Sequence, residues 1–385
     1  MGNSKRILFV ITQADWGGAQ TFIFNAAREA MRRGCPVLLA FGGEGLLEEK
    51  CREAGVPTRK LLQMKREISV FSDIGAISEL VKLMREWKPD TIFLNSSKAG
   101  VVGAIAGRIA RVPRIIYRIG GWSFTDPVSE TQKAFRRWME KLTAPLKDVI
   151  VVNTPGGVDL AKQNNIHPRQ HVALVPNGID LQKFDAALKS QEDARRELLA
   201  TFPSSGVPLG PMDHIPIVFT VANFYPAKGL SFFLDAIAIV AKTVPEFRAV
   251  IIGDGEGRAS LEEQRARLGL NAIVSLPGQR SDASTLLRGA DLFVLPSVKE
   301  GFPWALLEAM TAATPAVATD VGGVRWMVDD SVRVVPPGNA DALAIAMLES
   351  LHEPADARIK AASARRIVES RFTEREVWDM LFAEI

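Results

Sequence analysis

The stretch Leu292-Phe-Val-Leu-Pro-Ser-Val-Lys-Glu-Gly-Phe-Pro-Trp-Ala-Leu-Leu-Glu-Ala-Met310 contains one complete strand-to-helix step. Residues 292–296 are a short continuous apolar run, the kind buried on both faces of a parallel sheet. Pro303 suits the first turn of a helix, where its missing N–H has no partner to lose, and the helix runs on to about 313. Glu300 then lies on the loop at the strand end and Glu308 well inside the helix. Free amides at Gly301, Phe302 and Trp304, with the positive end of the helix dipole, form a ready anion site. A carboxylate beside an anion site is electrostatically poor unless the ligand also brings hydroxyls, as a sugar does.

The same step recurs in both directions. Apolar runs at 7–11, 37–41, 91–94, 115–117, 149–152 and 172–175 are separated by amphipathic stretches such as 20–33, 46–54 and 74–87. The turn signal Pro176-Asn-Gly-Ile-Asp180 is followed by a polar helix and a loop rich in Pro, Ser and Gly at 202–216. The alternation restarts at 217–222, 249–253, 272–276, 292–296, 316–319 and 332–335. This pattern predicts two doubly wound α/β domains, 1–177 and 178–372, with a last helix in 373–385 free to cross back to the first. Two such domains facing across a cleft would line it with the carboxyl ends of both sheets, where ligands of open α/β sheets bind.

Composition sets outer limits. The 385 residues, 47% hydrophobic and 24% charged, suffice for two cores, and 47 basic against 44 acidic side chains leave a net charge of only +3. That balance gives no electrostatic case for nucleic acid as a partner. Two cysteines, Cys35 and Cys51, indicate neither a disulfide framework nor a zinc site, and the apolar segment after the N-terminus is too short for a signal peptide or a membrane span. The expectation is a cytoplasmic protein.

Several further segments carry chemistry. Trp16-Gly-Gly-Ala-Gln20 joins the first strand to the first helix, so Gly17 and Gly18 let backbone approach an anion closely. Phe219-Thr-Val-Ala-Asn-Phe-Tyr-Pro-Ala-Lys-Gly229 ends a strand with Lys228, a point charge able to meet a diphosphate. Val250-Ile-Ile-Gly-Asp-Gly-Glu-Gly257 imitates a dinucleotide fingerprint, but Arg258 stands where the third glycine is needed and no acid ends the next strand, which excludes hydride transfer here. Arg280, in Pro277-Gly-Gln-Arg-Ser-Asp282, is placed to stack on a base or approach a phosphate, and a plain turn fits as well. Asp-x-Asp is absent, and Pro168 breaks the helix that would align His167 with His171, so no metal is expected.

Glu300-Gly-Phe-Pro-Trp-Ala-Leu-Leu-Glu308 resembles the E-x7-E motif of retaining glycosyltransferases of family 4, which have the GT-B fold. The resemblance covers nearly the whole chain, in the order GGAQ, PNGID, PAKG, GDGEG, E-x7-E. It implies that Glu300 lies against the donor sugar, that Glu308 holds ribose hydroxyls, and that Lys228 holds donor phosphate; a partner arginine of the family is replaced by Asn223. Gly17, Gly18, Asn223, Arg280, Gly301, Phe302, Pro303 and Glu308 are thus the implied donor-binding residues, and Glu300 and Lys228 the catalytic ones. Asn95-Ser-Ser-Lys-Ala-Gly100 and Tyr117-Arg-Ile-Gly-Gly-Trp-Ser-Phe124 resemble segments of members that assemble polysaccharides or glycolipids. They give Ser97, Lys98, Arg118, Gly121 and Trp122 as acceptor-side candidates. Both family histidines are missing there, with Asn95 near the first position and Gly120 at the second. The implied function is transfer of a sugar from a nucleotide-sugar to a glycan or lipid-linked acceptor without a metal or other cofactor. A non-catalytic GT-B nucleotide- or glycan-binding protein, and a sugar-nucleotide epimerase, share that fold. Finally, 131–148, with Lys133, Arg136, Arg137, Trp138, Lys141 and Lys147, reads either as a solvated surface helix or as a basic amphipathic one suited to peripheral contact with an anionic membrane.

Overall fold

The computed structural model describes residues 5–65, 70–126, 128–202, 215–244 and 246–385; most of the loop at 202–216, with His214, lies outside them. The chain divides into two compact units, Met1–Asn177 with Val377–Ile385, and Gly178–Glu376.

The first unit contains β1 (Ile7–Ile11), β2 (Val37–Gly42), β3 (Thr58–Leu61), β4 (Thr91–Asn95), β5 (Arg114–Ile119), β6 (Val149–Val152) and β7 (His171–Leu174). They form one sheet in the order β3-β2-β1-β4-β5-β6-β7, and every pairing is parallel. β1, β2, β4 and β6 are buried at every position, which is why they read as unbroken apolar runs. β3, Thr-Arg-Lys-Leu, has no such run. It is an edge strand with three of four residues at least partly exposed, and polar side chains are what an edge tolerates.

Glycines set the close approach of helix Ser97–Ala110 to this sheet. A Cβ on Gly100 would lie 2.3 Å from the Tyr117 ring, and one on Gly103 would lie 2.3 Å from Leu94 Cδ2. The last helix, Glu374–Glu384, seals the unit through its later residues. Trp378 packs on Phe22 with ring centroids 5.2 Å apart, Asp379 pairs with Arg33 at 2.6 Å, and Arg114 Nε donates to the Glu384 carbonyl at 2.6 Å.

The second unit contains β8 (Ile217–Val221), β9 (Arg248–Ile252), β10 (Val274–Gly278), β11 (Leu292–Leu295), β12 (Ala316–Thr319) and β13 (Arg333–Val335). Their order is β10-β9-β8-β11-β12-β13, again with only parallel pairings. Strand order therefore reverses between β1 and β4 in one unit and between β8 and β11 in the other. At such switch points the loops leave in opposite directions and open a crevice at the strand ends. No helix among the described residues is long and apolar enough to cross a membrane.

Candidate active site

Lys228 and Glu300 leave the two strands that flank the second switch point, and backbone geometry forces them together. After β8 the chain makes a short turn, Pro226–Lys228, that ends on Gly229 at φ +64. A Cβ at Gly229 would lie 2.0 Å from the Pro296 carbonyl oxygen, so glycine is required both by conformation and by space. The N–H groups of Val298 and Lys299 donate to the Ala227 carbonyl at 2.9 and 3.2 Å. With the two loops stitched in this way, Lys228 Nζ donates to Glu300 Oε1 at 2.7 Å, and Ser297 Oγ donates to the same oxygen at 2.7 Å. The Ser297 carbonyl in turn accepts from Thr319 Oγ1 at 2.5 Å. The Glu300 side chain is 11% exposed and that of Lys228 29%.

A third segment closes on the same loop. Gly322, at φ +55, has no room for a side chain, since a Cβ would lie 2.3 Å from the Glu300 carbonyl oxygen. The Gly323 N–H donates to the Gly301 carbonyl at 2.9 Å. Neither Ser297 nor Gly322 is among the site candidates of the sequence, although Gly322 falls in the family-like Thr319-Asp-Val-Gly-Gly323. Their signals, a hydroxyl one residue past the strand-ending proline and a Val-Gly-Gly after β12, are too common to find alone.

The helix that follows spans Trp304–Thr311, with Pro303 as its N-cap at ψ 116 rather than its first helical residue. The start shifts by one position because Pro303 keeps extended backbone while its carbonyl already accepts from Leu307 at 3.2 Å. Phe302 is buried, its ring set edge-on against Phe372 and Trp326 at 5.2 and 6.2 Å. Its side chain belongs to the core, and Pro303 is buried as well. Glu308 is half-buried, its carboxyl receives no hydrogen bond or ion pair from the described residues, and the burial of that carboxyl raises its pKa to about 7. A partly desolvated, unpaired acid costs stability, and this one stands inside the helix that directly follows the Glu300 loop.

The neighbouring predictions sort into two groups. Asn223 is exposed at the end of β8. The GDGEG segment packs on that strand end: Cβ atoms at Gly253 and Gly257 would lie 1.8 Å from the Ala222 oxygen and 2.9 Å from the Phe224 oxygen. Arg258 fills the third-glycine position and ties the segment down, donating to Asp254 and to the Gly253 carbonyl. Arg280 is occupied. Its guanidinium grips Asp282 through two bonds of 2.9 and 2.8 Å and reaches Glu197 at 2.7 Å, and these contacts hold Asp282 well below the usual carboxylate range. Arg280 thus clasps its own loop to helix Gln191–Leu199, and no bond joins it to Lys228 or Glu300.

In the first unit Gly17 caps helix Gly18–Arg32 in extended conformation, with only Gln20 Oε1 near a Cβ placed there. The Thr12 and Ser96 hydroxyls meet at 2.6 Å across the switch point, and Ser96 takes φ 115, a strained value for a non-glycine residue. Ser97 opens helix Ser97–Ala110, and Lys98 pairs with Asp73 at 2.6 Å. Gly121 is half-buried, whereas Trp122 is only 2% exposed and donates from Nε1 to the Gly157 carbonyl at 2.9 Å. Arg118 is 3% exposed. It donates to Asn95 Oδ1 at 3.2 Å and Asn177 Oδ1 at 2.7 Å and lies 3.5 Å over the Phe22 ring. Its Nε is unpartnered, and burial pulls its pKa down to about 9. Trp122 and Arg118, the acceptor-side candidates of the sequence, are thus buried and hydrogen-bonded within the first unit. Among the described residues no group of three or more His, Cys, Asp or Glu could hold a metal ion.

Comparison with known proteins gives the family. A family model described as Glycosyl transferases group 1 matches residues 209–367, and one described as Glycosyl transferase 4-like domain matches residues 17–178. The chain belongs to the family 4-like glycosyltransferases. Among relatives of this glycosyltransferase, the Escherichia coli UDP-Gal:alpha-D-GlcNAc-diphosphoundecaprenol alpha-1,3-galactosyltransferase is 29% identical over 73% of this chain and 70% of its own. The Staphylococcus aureus capsular polysaccharide biosynthesis glycosyltransferase CapM is 25% identical over 83% of each chain. The solved structure of Anabaena HepE in complex with UDP-glucose superposes with a TM-score of 0.81 over 98% of this glycosyltransferase and 100% of HepE. At 22% identity that match concerns the fold, the two parallel-sheet units of GT-B.

Proposed function

We propose that this glycosyltransferase transfers a sugar, with retention at the anomeric carbon, from a UDP-sugar to a lipid-linked or polysaccharide acceptor. The reading is carried by the Lys228–Glu300 pair at the β8–β11 switch point. Lys228 supplies a mobile cation for the diphosphate, and the amides at the start of helix Trp304–Thr311 offer further charge stabilisation without a metal. Glu300 stands beside it to meet donor hydroxyls and positive charge developing at the anomeric carbon. Glu308, unpaired in the ligand-free protein, accepts from the ribose hydroxyls. The bond from the anomeric carbon to the diphosphate oxygen breaks, the acceptor oxygen bonds to the same face, and the departing diphosphate takes the acceptor proton. The UDP-sugars named for the Escherichia coli and Anabaena proteins support the choice of base, and the Escherichia coli and Staphylococcus aureus names support the acceptor class.

The test is a thermal-shift screen of UDP-, GDP-, ADP- and dTDP-sugars, followed by proton NMR of the product formed with a lipid-diphosphate sugar acceptor. Stabilisation by a UDP-sugar and an α-linked product from an α-linked donor are expected. An inverted product overturns the retaining assignment, and donor binding without any transfer overturns the catalytic one.

A further inference from the structure

Helix Glu130–Thr143 presents an apolar stripe that nothing among the described residues covers. Phe135 is 47% exposed, Trp138 56% and Leu142 56%, and their spacing of three and four residues puts them on one side of the helix. The Phe135 and Trp138 rings lie 6.3 Å apart. The opposite side of the helix is anchored in the first unit. Glu140 is 2% exposed and accepts from Tyr117 at 2.9 Å and from Lys147 at 3.1 Å.

Charge in this segment resolves pair by pair. Between 126 and 147 the acids are Asp126, Glu130 and Glu140. Asp126 pairs with Arg136 at 2.5 Å, Glu130 with Lys133 at 2.8 Å, and Glu140 with Lys147. Lys147, counted in the sequence as part of a basic surface, is fully buried, because the short turn Ala144–Leu146 folds it back against Glu140. What remains outside is Arg137 and Lys141, both exposed and neither in a salt bridge. They flank one edge of the Phe135, Trp138, Leu142 stripe.

We infer that this face docks on an anionic phospholipid surface, with Trp138, Leu142 and Phe135 entering the headgroup boundary and Arg137 and Lys141 meeting lipid phosphates. Arg137 lies 5.9 Å over the Phe124 ring and Lys141 stands clear, and an aromatic and aliphatic stripe bordered by two exposed cations that pair with no acid among the described residues is the arrangement such a surface recognises. A protein partner of ordinary composition offers no comparable reason for two cations left without an acid. The inference concerns a surface separate from Lys228 and Glu300 and does not depend on the proposed reaction.

Co-sedimentation of the full chain with phosphatidylcholine vesicles, with and without phosphatidylglycerol, tests it. Binding to the anionic vesicles alone, weakened by added salt, is expected. Arg137→Gln with Lys141→Gln should weaken that binding about fivefold per charge, roughly 25-fold together. Trp138→Ser with Leu142→Ser should weaken it at least about tenfold. All four positions are exposed, and unchanged thermal unfolding of the variants confirms that docking alone was altered. Equal sedimentation with both vesicle types overturns the inference, as do stripe variants that bind like the wild type. Light scattering that shows a dimer dissolved by Trp138→Ser, with no vesicle binding, assigns the stripe to a second copy and overturns it as well.

Discussion

Lys228 Nζ and Ser297 Oγ both donate to Glu300 Oε1, each at 2.7 Å, and none of the described residues bonds Oε2. One carboxylate oxygen is thus spent on holding the side chain still while the other is left for a ligand. The ammonium is stored against the acid in the ligand-free protein, and the proposed reaction requires it to turn to a phosphate when donor arrives.

That division of labour separates two variants. Lys228→Ala should weaken donor binding by about 10–100-fold, the usual worth of a charge-assisted hydrogen bond, with a smaller effect on turnover at saturation. Glu300→Gln keeps the bond from Ser297 and should lower kcat by about 100–1000-fold while changing donor affinity little. Calorimetric donor titration beside steady-state kinetics reads both. Equal donor affinity in wild type and Lys228→Ala removes the phosphate assignment.

With Glu308 in its proposed role, donor binding should depend on pH. Its carboxyl titrates at about 7 in the ligand-free protein, and the carboxylate is the better acceptor for ribose hydroxyls, so donor affinity should fall as pH drops through 7. Stability moves the other way. The folded carboxyl keeps its proton up to about 7 and the unfolded one releases it near 4.5, so the ligand-free protein loses stability as pH rises through that window. Glu308→Gln should flatten both profiles and raise the melting temperature more at pH 8 than at pH 5, as calorimetry at the two pH values would show.

Gly229 is the stitch that places Lys228. Gly229→Ala imposes a left-handed residue with a Cβ and drives it into the Pro296 carbonyl, which should cost about 2–4 kcal/mol in denaturant unfolding. Donor binding should fall with it, because the Pro226–Lys228 turn must move. Loss of stability with donor affinity intact would mean that Lys228 reaches its ligand without this turn.

The buried Glu140–Lys147 pair is a test of packing rather than chemistry. Lys147 sits 4.2 Å from the centre of the Tyr117 ring, and burial pulls its pKa down while Glu140 opposes the shift. Glu140→Ala leaves an uncompensated ammonium and should cost about 3–5 kcal/mol, and adding Lys147→Met should recover most of it. Additive losses in the double variant would show that the two charges are not coupled.

Much of the framework was legible because strands buried on both faces announce themselves as apolar runs, as Ile7–Ile11 and Val149–Val152 do. β3 was not read, since Thr58, Arg59 and Lys60 lie on a sheet edge where water and charge are tolerated and no periodicity survives. Lys228 and Glu300 could be named as motif members, but their meeting depends on Gly229 and Ala227 gripping a loop some seventy positions later, which no local pattern records. Arg118, Trp122, Lys147 and Arg280 look in sequence like groups reaching for a ligand, and the structure gives each an internal partner that no local pattern records: Asn177, the Gly157 carbonyl, Glu140 and Glu197 respectively.

The first unit is built from two separated pieces of chain. Phe22, Arg33 and Arg114 complete their contacts with Trp378, Asp379 and Glu384, whereas the second unit, Gly178–Glu376, is continuous. On a ribosome the half that begins first is therefore completed last, after the other half has emerged. Until then the apolar patch around Phe22 is open to water and to chaperones, so a nascent chain stalled before Val377 carries one finished body and one unsealed one.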